Sequence, residues 1–131
     1  MGHQLEFLHP VEDLAETISV SLEDQSWAGK ASVIFYWSFV PYRCEWRYEI
    51  SAHGPALIDA GHVGQNLYLA CTALGLGTCA IAAFNLHICD TLFTLDGEEE
   101  FMVYAAPVGT ISAENHRQEK AFYQFVEDEG L

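Results

Sequence analysis

Positive charge is what this sequence has least of. Five Lys and Arg residues stand against 19 Asp and Glu, a formal net charge of -14 at pH 7. Such a chain repels phosphate backbones and anionic lipid headgroups, which excludes nucleic-acid and membrane-surface binding as functions. The acidity bears on solubility, as an ordinary acidic surface or as adaptation to a salt-rich host. Cysteine is sparse: Cys44, Cys71, Cys79 and Cys89 form no C-x-x-C pair, a pattern of buried, reduced thiols in a cytoplasmic protein. His3, His9, His53, His62 and His87 make no zinc-ligand spacing with them, so no metal is expected. G-x-S-x-G is missing too, which removes the nucleophile-elbow hydrolases. The opening MGHQLEFLHPVEDL has no basic segment before an apolar run, so no secretory signal is expected, and Glu6 stands where a myristoylation signal has Ser or Thr.

One further absence is local. Between Asp59 and Asp90 there is no Lys, Arg, Asp or Glu. Half of the 131 residues are hydrophobic and 13% are aromatic, so the chain folds and buries apolar surface, with the size of one domain. The charge-free stretch does not read as a membrane span: His62, Gln65 and Asn66 lie at one end, Gly75 and Gly77 interrupt it, and neither flank is basic.

Periodicity supplies the elements. Pro10, Glu12 and Asp13 open a helix that carries Leu14 and Ile18. SVIFYWSF, Ser32 to Phe39, reads as a buried strand ended by Pro41. The alternation in YRCEWRYEISAHGP predicts an extended arm with one packing face. From Pro55 a stripe of Ala56, Ala60, Val63, Leu67, Ala70 and Leu74 predicts a core helix, apolar nearly all round, ended at Gly75 and Gly77. TCAIAAF follows as a strand. LHICDTLFTLDGEEE then gives a short helix and an Asp96-Gly97 turn, whose acids are a solvated run and not a calcium loop. FMVYAAPVGTI is a strand cut by Pro107 and Gly109, and 114–131 is an acidic, helical tail.

GLGTCAIAA combines a glycine turn with small side chains, so a flat ligand can lie against its backbone. It is not the G-x-G-x-x-G fingerprint, because here the glycines follow a helix and precede a strand. Taken alone, it is equally a close-packed helix–strand corner.

The segment IDAGHVGQNLYLACTALGLGTCAIAAF resembles the core of the nitroreductase-like flavoprotein superfamily, especially its azoline-oxidising (thiazole-oxidase, SagB-type) dehydrogenase branch. HQLEFL, VIFYWSFVPYRCEWRY, LDGEEE and VYAAPVG match in the same order, over about Gly2 to Gly109. The resemblance implies an α+β fold: a three-layer α/β/α sandwich with a long central helix, dimeric through that helix, with FMN at the dimer interface. It implies that the flavin ring lies against Ala80, Ile81, Ala82 and Ala83, with Gly77 and Thr78 leading in. Gln65 and Asn66 belong to the dimer helix and are expected to satisfy buried polar partners.

The chain also departs from the family pattern. The arginine-rich R-R-S-x-R segment that grips the FMN phosphate is missing, which implies a partial domain, residues 1–131, lacking the N-terminal part of the fold. A shortened gene product and a chain whose partner supplies the missing half both meet that description. Phosphate binding then falls to Lys30, Arg43, Arg47, Arg117 or Lys120, of which Arg117 and Lys120 occupy the place of a family phosphate contact. The azoline-oxidising branch carries a basic residue and Tyr where this chain has Gly54-Pro55, with His53 adjacent as a titratable alternative. Two functions follow as expectations: an FMN-dependent oxidoreductase moving hydride between flavin and a nicotinamide or small organic substrate, or a non-catalytic relative acting as a dimerisation or ligand-binding subunit. Either way, the VIFYWSF strand and the apolar helix predict association into a homodimer or heteromer.

Overall fold

The computed structural model describes residues 4–130. Met1, Gly2, His3 and Leu131 lie outside it, and with them the start of the HQLEFL match, the His3 zinc candidate and the end of the acidic tail.

Eight elements follow in order: α1 (Leu14–Ser21), β1 (Val33–Phe39), α2 (Tyr42–Tyr48), α3 (His53–Leu74), β2 (Leu76–Thr78), α4 (Leu86–Leu92), β3 (Phe101–Thr110) and α5 (Ala113–Glu129), with 3-10 turns at Ala28–Lys30 and Glu49–Ser51. The strands form one antiparallel sheet in the order β1-β3-β2. On one face, Ile18 of α1, Leu22 just after it, Leu92 of α4 and Ala28 pack with Ile34, Tyr36, Ile81 and Ala105 as the core. On the other, α3 lies over β2 and β3, with Gly64 against the Tyr104 ring: a Cβ there would stand 2.8 Å from Tyr104 Cε1. Helices on both faces make the three layers.

Polar groups pin the corners. Asp90, which closes the charge-free stretch, is buried and accepts the Met102 amide at 2.9 Å, fixing the start of β3. Asn85 caps α4 by accepting the Ile88 amide at 3.1 Å, as Asn does at helix starts. Gly75 ends α3 at φ 68°, and its N–H returns to the carbonyls of Cys71 and Thr72.

SVIFYWSF forms β1 as expected, but not as a buried strand, since none of its residues is buried; five further expectations need correction. α1 starts at Leu14 and not near Pro10, because Asp13 is in the left-handed conformation at φ 44°. The expected arm after Pro41 is the helix α2: the Pro41 carbonyl accepts the amides of Cys44 (2.8 Å) and Glu45 (3.0 Å). No residue of α2 is buried, so its alternation sorts against no core and carries no strand information.

The third correction concerns α3, which is not a core helix. Gly64 and Cys71 are buried, but Ile58 is 61% exposed, Leu69 61% and Leu74 73%. Fourth, Gln65 and Asn66 are exposed and satisfy no buried partner among the described residues. Fifth, β3 runs unbroken through Pro107 and Gly109, and the strand after the glycine turn is the one interrupted. Its register with β3 is the same at Thr78↔Val108 and at the isolated bridge Ile81↔Ala105. The gap at Cys79 and Ala80 therefore faces Pro107 and Ala106. Proline has no N–H for the ladder, and the pairing opens beside it.

Candidate functional site

The glycine turn brings Gly77 and Thr78 to the wall of an open cleft of about 420 Å³. Across it stand Lys30 and Ser32, carried by the 3-10 turn and the approach to β1, while Gly109, Thr110 and Asn115 line the end where β3 passes into α5. Thr78 Oγ1 donates to the Pro107 carbonyl at 2.9 Å, and the Ser32 amide donates to the Val108 carbonyl at 3.0 Å, so both walls are tied to β3. Gly77 keeps the floor low: a Cβ there would stand 3.0 Å from Ile111 Cγ1. No Asp or Glu lines this cleft, although the chain carries 19.

Beyond the cleft the small-residue run separates by role. Ala80 donates its amide to the Tyr68 hydroxyl of α3 at 2.8 Å. Ile81 is buried in the core and exchanges both backbone hydrogen bonds with Ala105, at 2.7 and 3.0 Å. Ala82 and Ala83 are exposed, and among the described residues their amides donate to no protein acceptor. Gln25 Nε2 reaches the Ala83 carbonyl at 3.4 Å, and the Asn85 amide is held by the Ser21 carbonyl at 2.9 Å. The segment is thus anchored at both ends with two small residues presented between.

The remaining candidates lie elsewhere. Arg117 is on the exposed helix α5, ion-paired with Glu114 one turn back, and is not a residue of the cleft wall. Arg43 and Arg47 sit on α2, none of whose residues is buried. His53 is the first residue of α3, stacked on Phe101 at 6.1 Å and edge-on to Phe39 at 6.0 Å. It lines a different cavity, with Glu45, Glu98 and Glu99. The sequence gives no signal for Tyr68, an aromatic residue on an apolar helix, and offers Lys30 only as one of five cations.

Burial raises the Tyr36 phenol, whose hydroxyl pairs with Ser21 Oγ at 2.9 Å. Burial also pushes the Cys89 thiol up to about 11. Cys71 and Cys89 are buried, whereas Cys79 is exposed and lines the cleft. Among the described residues no group of three His, Cys, Asp or Glu side chains could hold a metal ion. No described helix is long and apolar enough to cross a membrane.

This arrangement, a three-layer fold with a long helix leading through a glycine turn into small residues, is nitroreductase-like. Residues 3–110 match the model of the nitroreductase family, and the chain belongs to that family. Among solved structures it is similar to a putative nitroreductase from Anabaena variabilis, with TM-score 0.69 and 20% identity over 77% of this chain and 20% of that one. It is also similar to a nitroreductase family protein from Clostridium novyi NT, with TM-score 0.62 and 22% identity over 79% and 59% of the two chains. A third similarity is to the Escherichia coli microcin synthetase McbBCD complex with truncated pro-MccB17 bound, with TM-score 0.67 and 18% identity over 74% and 37%. At these identities the likeness is one of fold. The chain spans less than two thirds of the length of each of these three. No curated protein matches the sequence.

Proposed function

We propose that this chain is the FMN-binding portion of a flavin-dependent oxidoreductase, with the flavin held over the segment from Gly77 to Ala83. The observation that carries this is the pair of exposed alanines, Ala82 and Ala83, whose amides donate to no described acceptor, in a segment anchored by Tyr68, Ala105 and Ser21. The residues present fit such a cofactor. Small side chains leave room for a flat ring, and the free amides are donors for its polar edge. The adjoining cleft offers Lys30, Ser32, Thr78 and Asn115 without a carboxylate.

FMN, when bound, supplies the hydride chemistry between a reductant such as a nicotinamide and a small organic substrate. The chain's own share is positional. Gly77 and Thr78 shape the approach, Ala80 and Ile81 fix the height of the backbone, and Ala82 and Ala83 present donors. Within the family, the azoline-oxidising branch is the one the ordered sequence matches support. Gly54 and Pro55 leave His53 as the titratable side chain at the start of α3.

A second reading is favoured by a specific observation, the exposure of Ile58, Leu69 and Leu74 on α3 and of Val33 and Phe35 on β1. In it the chain is a subunit or portion that associates through such apolar surface, as a homodimer or with a chain supplying further parts of the fold, and need not be catalytic. The test is an absorbance spectrum of the purified protein before and after FMN addition and dialysis. A retained flavin band supports the flavoenzyme, and a colourless protein that also takes up no FMN supports the associating subunit.

A further inference from the structure

We propose that the cleft between the Lys30 turn and the β2–β3 edge is an anion site that takes a phosphate monoester, with Lys30 as its anchor; that this phosphate is the flavin's own rests on the reading above. In a chain of net charge -14 the mean field everywhere disfavours an anion, so a site for one needs a local departure from the average. The cleft is such a departure: Lys30 lines it and no carboxylate does.

Its other polar groups are of the matching kind. Ser32, Thr110 and Asn115 carry hydrogen-bond donors that can serve phosphate oxygens, while the Thr78 hydroxyl is committed to the Pro107 carbonyl. Gly77 and Gly109 line the same wall and bring backbone close to whatever enters. The acid nearest in sequence, Glu114, is ion-paired with Arg117. Lys30 itself has no ion-pair partner among the described residues. It is held in place by its turn: the Lys30 amide donates to the Trp27 carbonyl at 3.2 Å, and Gly29 lies against α1. Of the other cations, Arg43 and Arg47 project from α2, and Arg117 and Lys120 from α5.

The test uses the full chain, at fixed ionic strength, with inorganic phosphate followed through the amide resonances of Gly77, Thr78 and Gly109. Phosphate is expected to shift these resonances in the parent protein and in Lys30→Arg. Lys30→Gln is expected to weaken phosphate binding by about tenfold or more, the usual loss for a charged hydrogen bond. Arg117→Gln is expected to leave it unchanged. FMN and riboflavin affinities, read by flavin fluorescence, then identify the source of the phosphate. If Lys30→Gln weakens FMN by about the same tenfold and leaves riboflavin alone, the phosphate is the flavin's. If phosphate binding depends on Lys30 but no flavin binds, the anion site stands and the flavin reading fails. Resonances indifferent to phosphate in the parent protein, or equal phosphate binding in Lys30→Gln, overturn the proposal, as does a loss confined to Arg117→Gln.

Discussion

The Tyr68 hydroxyl accepts the amide of Ala80 at 2.8 Å, joining the central helix to a place where the β2–β3 pairing opens. Ala80 needs that acceptor because the ladder is interrupted there, opposite the β3 residues Ala106 and Pro107. Tyr68→Phe keeps the ring and removes the acceptor. It is expected to cost about 1 kcal/mol, a typical net hydrogen bond, in urea-induced unfolding. Loosened anchoring is also expected to reduce FMN affinity, because the backbone carrying Ala82 and Ala83 is no longer held before the ligand arrives. A variant that binds FMN as the parent does would remove Tyr68 from the positioning of the site.

Gly29 bears on the other wall. A Cβ at this position would stand 2.3 Å from the Ala15 carbonyl oxygen, a backbone atom of α1 that cannot rotate away. Gly29→Ala is therefore expected to destabilise by about 1–3 kcal/mol, the range for overpacking, measured as a lower denaturant midpoint with an unchanged m-value. It should also displace Lys30, the next residue.

These two relationships show what was legible in the sequence. β1, the long helix, β3 and the Gly75 stop all lie near their expected places, read from a β-branched and aromatic run, helical apolar spacing and a terminal glycine. α2, none of whose residues is buried, read as an arm, whereas α5, equally without a buried residue, was legible from its helical spacing. The long helix was legible as a helix but not as to its surroundings, since apolar residues look alike whether they meet this chain's core or stand exposed. At the candidate site the small residues were visible as a run. Their division into anchored Ala80 and Ile81 and exposed Ala82 and Ala83 was not, because it depends on Tyr68, Ala105 and Pro107, brought in from elsewhere in the chain.

The four cysteines should separate by reactivity. Cys79 is exposed, whereas Cys71 and Cys89 are buried, and burial pushes the Cys89 thiol up to about 11. Since the thiolate is the reacting form, a thiol reagent near neutral pH is expected to label Cys79 readily and to reach Cys71 and Cys89 only on unfolding, as mapped by peptide mass analysis. Because Cys79 lines the cleft, bound phosphate or FMN should slow its labelling. The folded protein also holds the Cys89 proton above its ordinary 9.0. The unfolded chain loses that proton first, so this contribution to stability is intact below pH 9.0 and falls away as pH rises toward 11. Cys89→Ala should flatten that alkaline decline.

Asp96 gives the acid counterpart. Its Oδ1 accepts the amides of Glu98 (2.9 Å), Glu99 (2.8 Å) and Glu100 (3.0 Å), and backbone donation, led by Glu100, holds its carboxyl below the ordinary 3.8. A lowered carboxyl stabilises the fold above its unfolded value, and the benefit disappears as pH falls through the folded one. Stability measured downward from pH 5 is therefore expected to drop more steeply in the parent than in Asp96→Asn, with the difference arising below 3.8. Parallel acid limbs would show that the turn takes no stability from the charge.

The exposed apolar residues of α3 lead to the last expectation. Ile58 and Leu69 are eleven positions apart, three helical turns, and so lie along one face. Both are 61% exposed, and Leu57 and Leu74 add to the apolar surface of the same helix. Exposed apolar area drives association in water, at about 25 cal/mol for each Å² removed from solvent, and on this face Ile58 and Leu69 flank the exposed His62 and Gln65. The parent protein is therefore expected to scatter light as more than one copy of its 14.6 kDa chain at micromolar concentration. Two carboxylates placed on that face, in a chain already at -14, oppose contact by desolvation and by repulsion between copies. Ile58→Glu with Leu69→Glu should therefore yield monomers with the parent's far-ultraviolet circular dichroism, since neither side chain is buried. A parent protein that is already a monodisperse monomer would remove this face as an interface between copies of the chain. If the parent associates and the double variant does so equally, the contact lies elsewhere, and the exposed Val33 and Phe35 of β1 become the next residues to change.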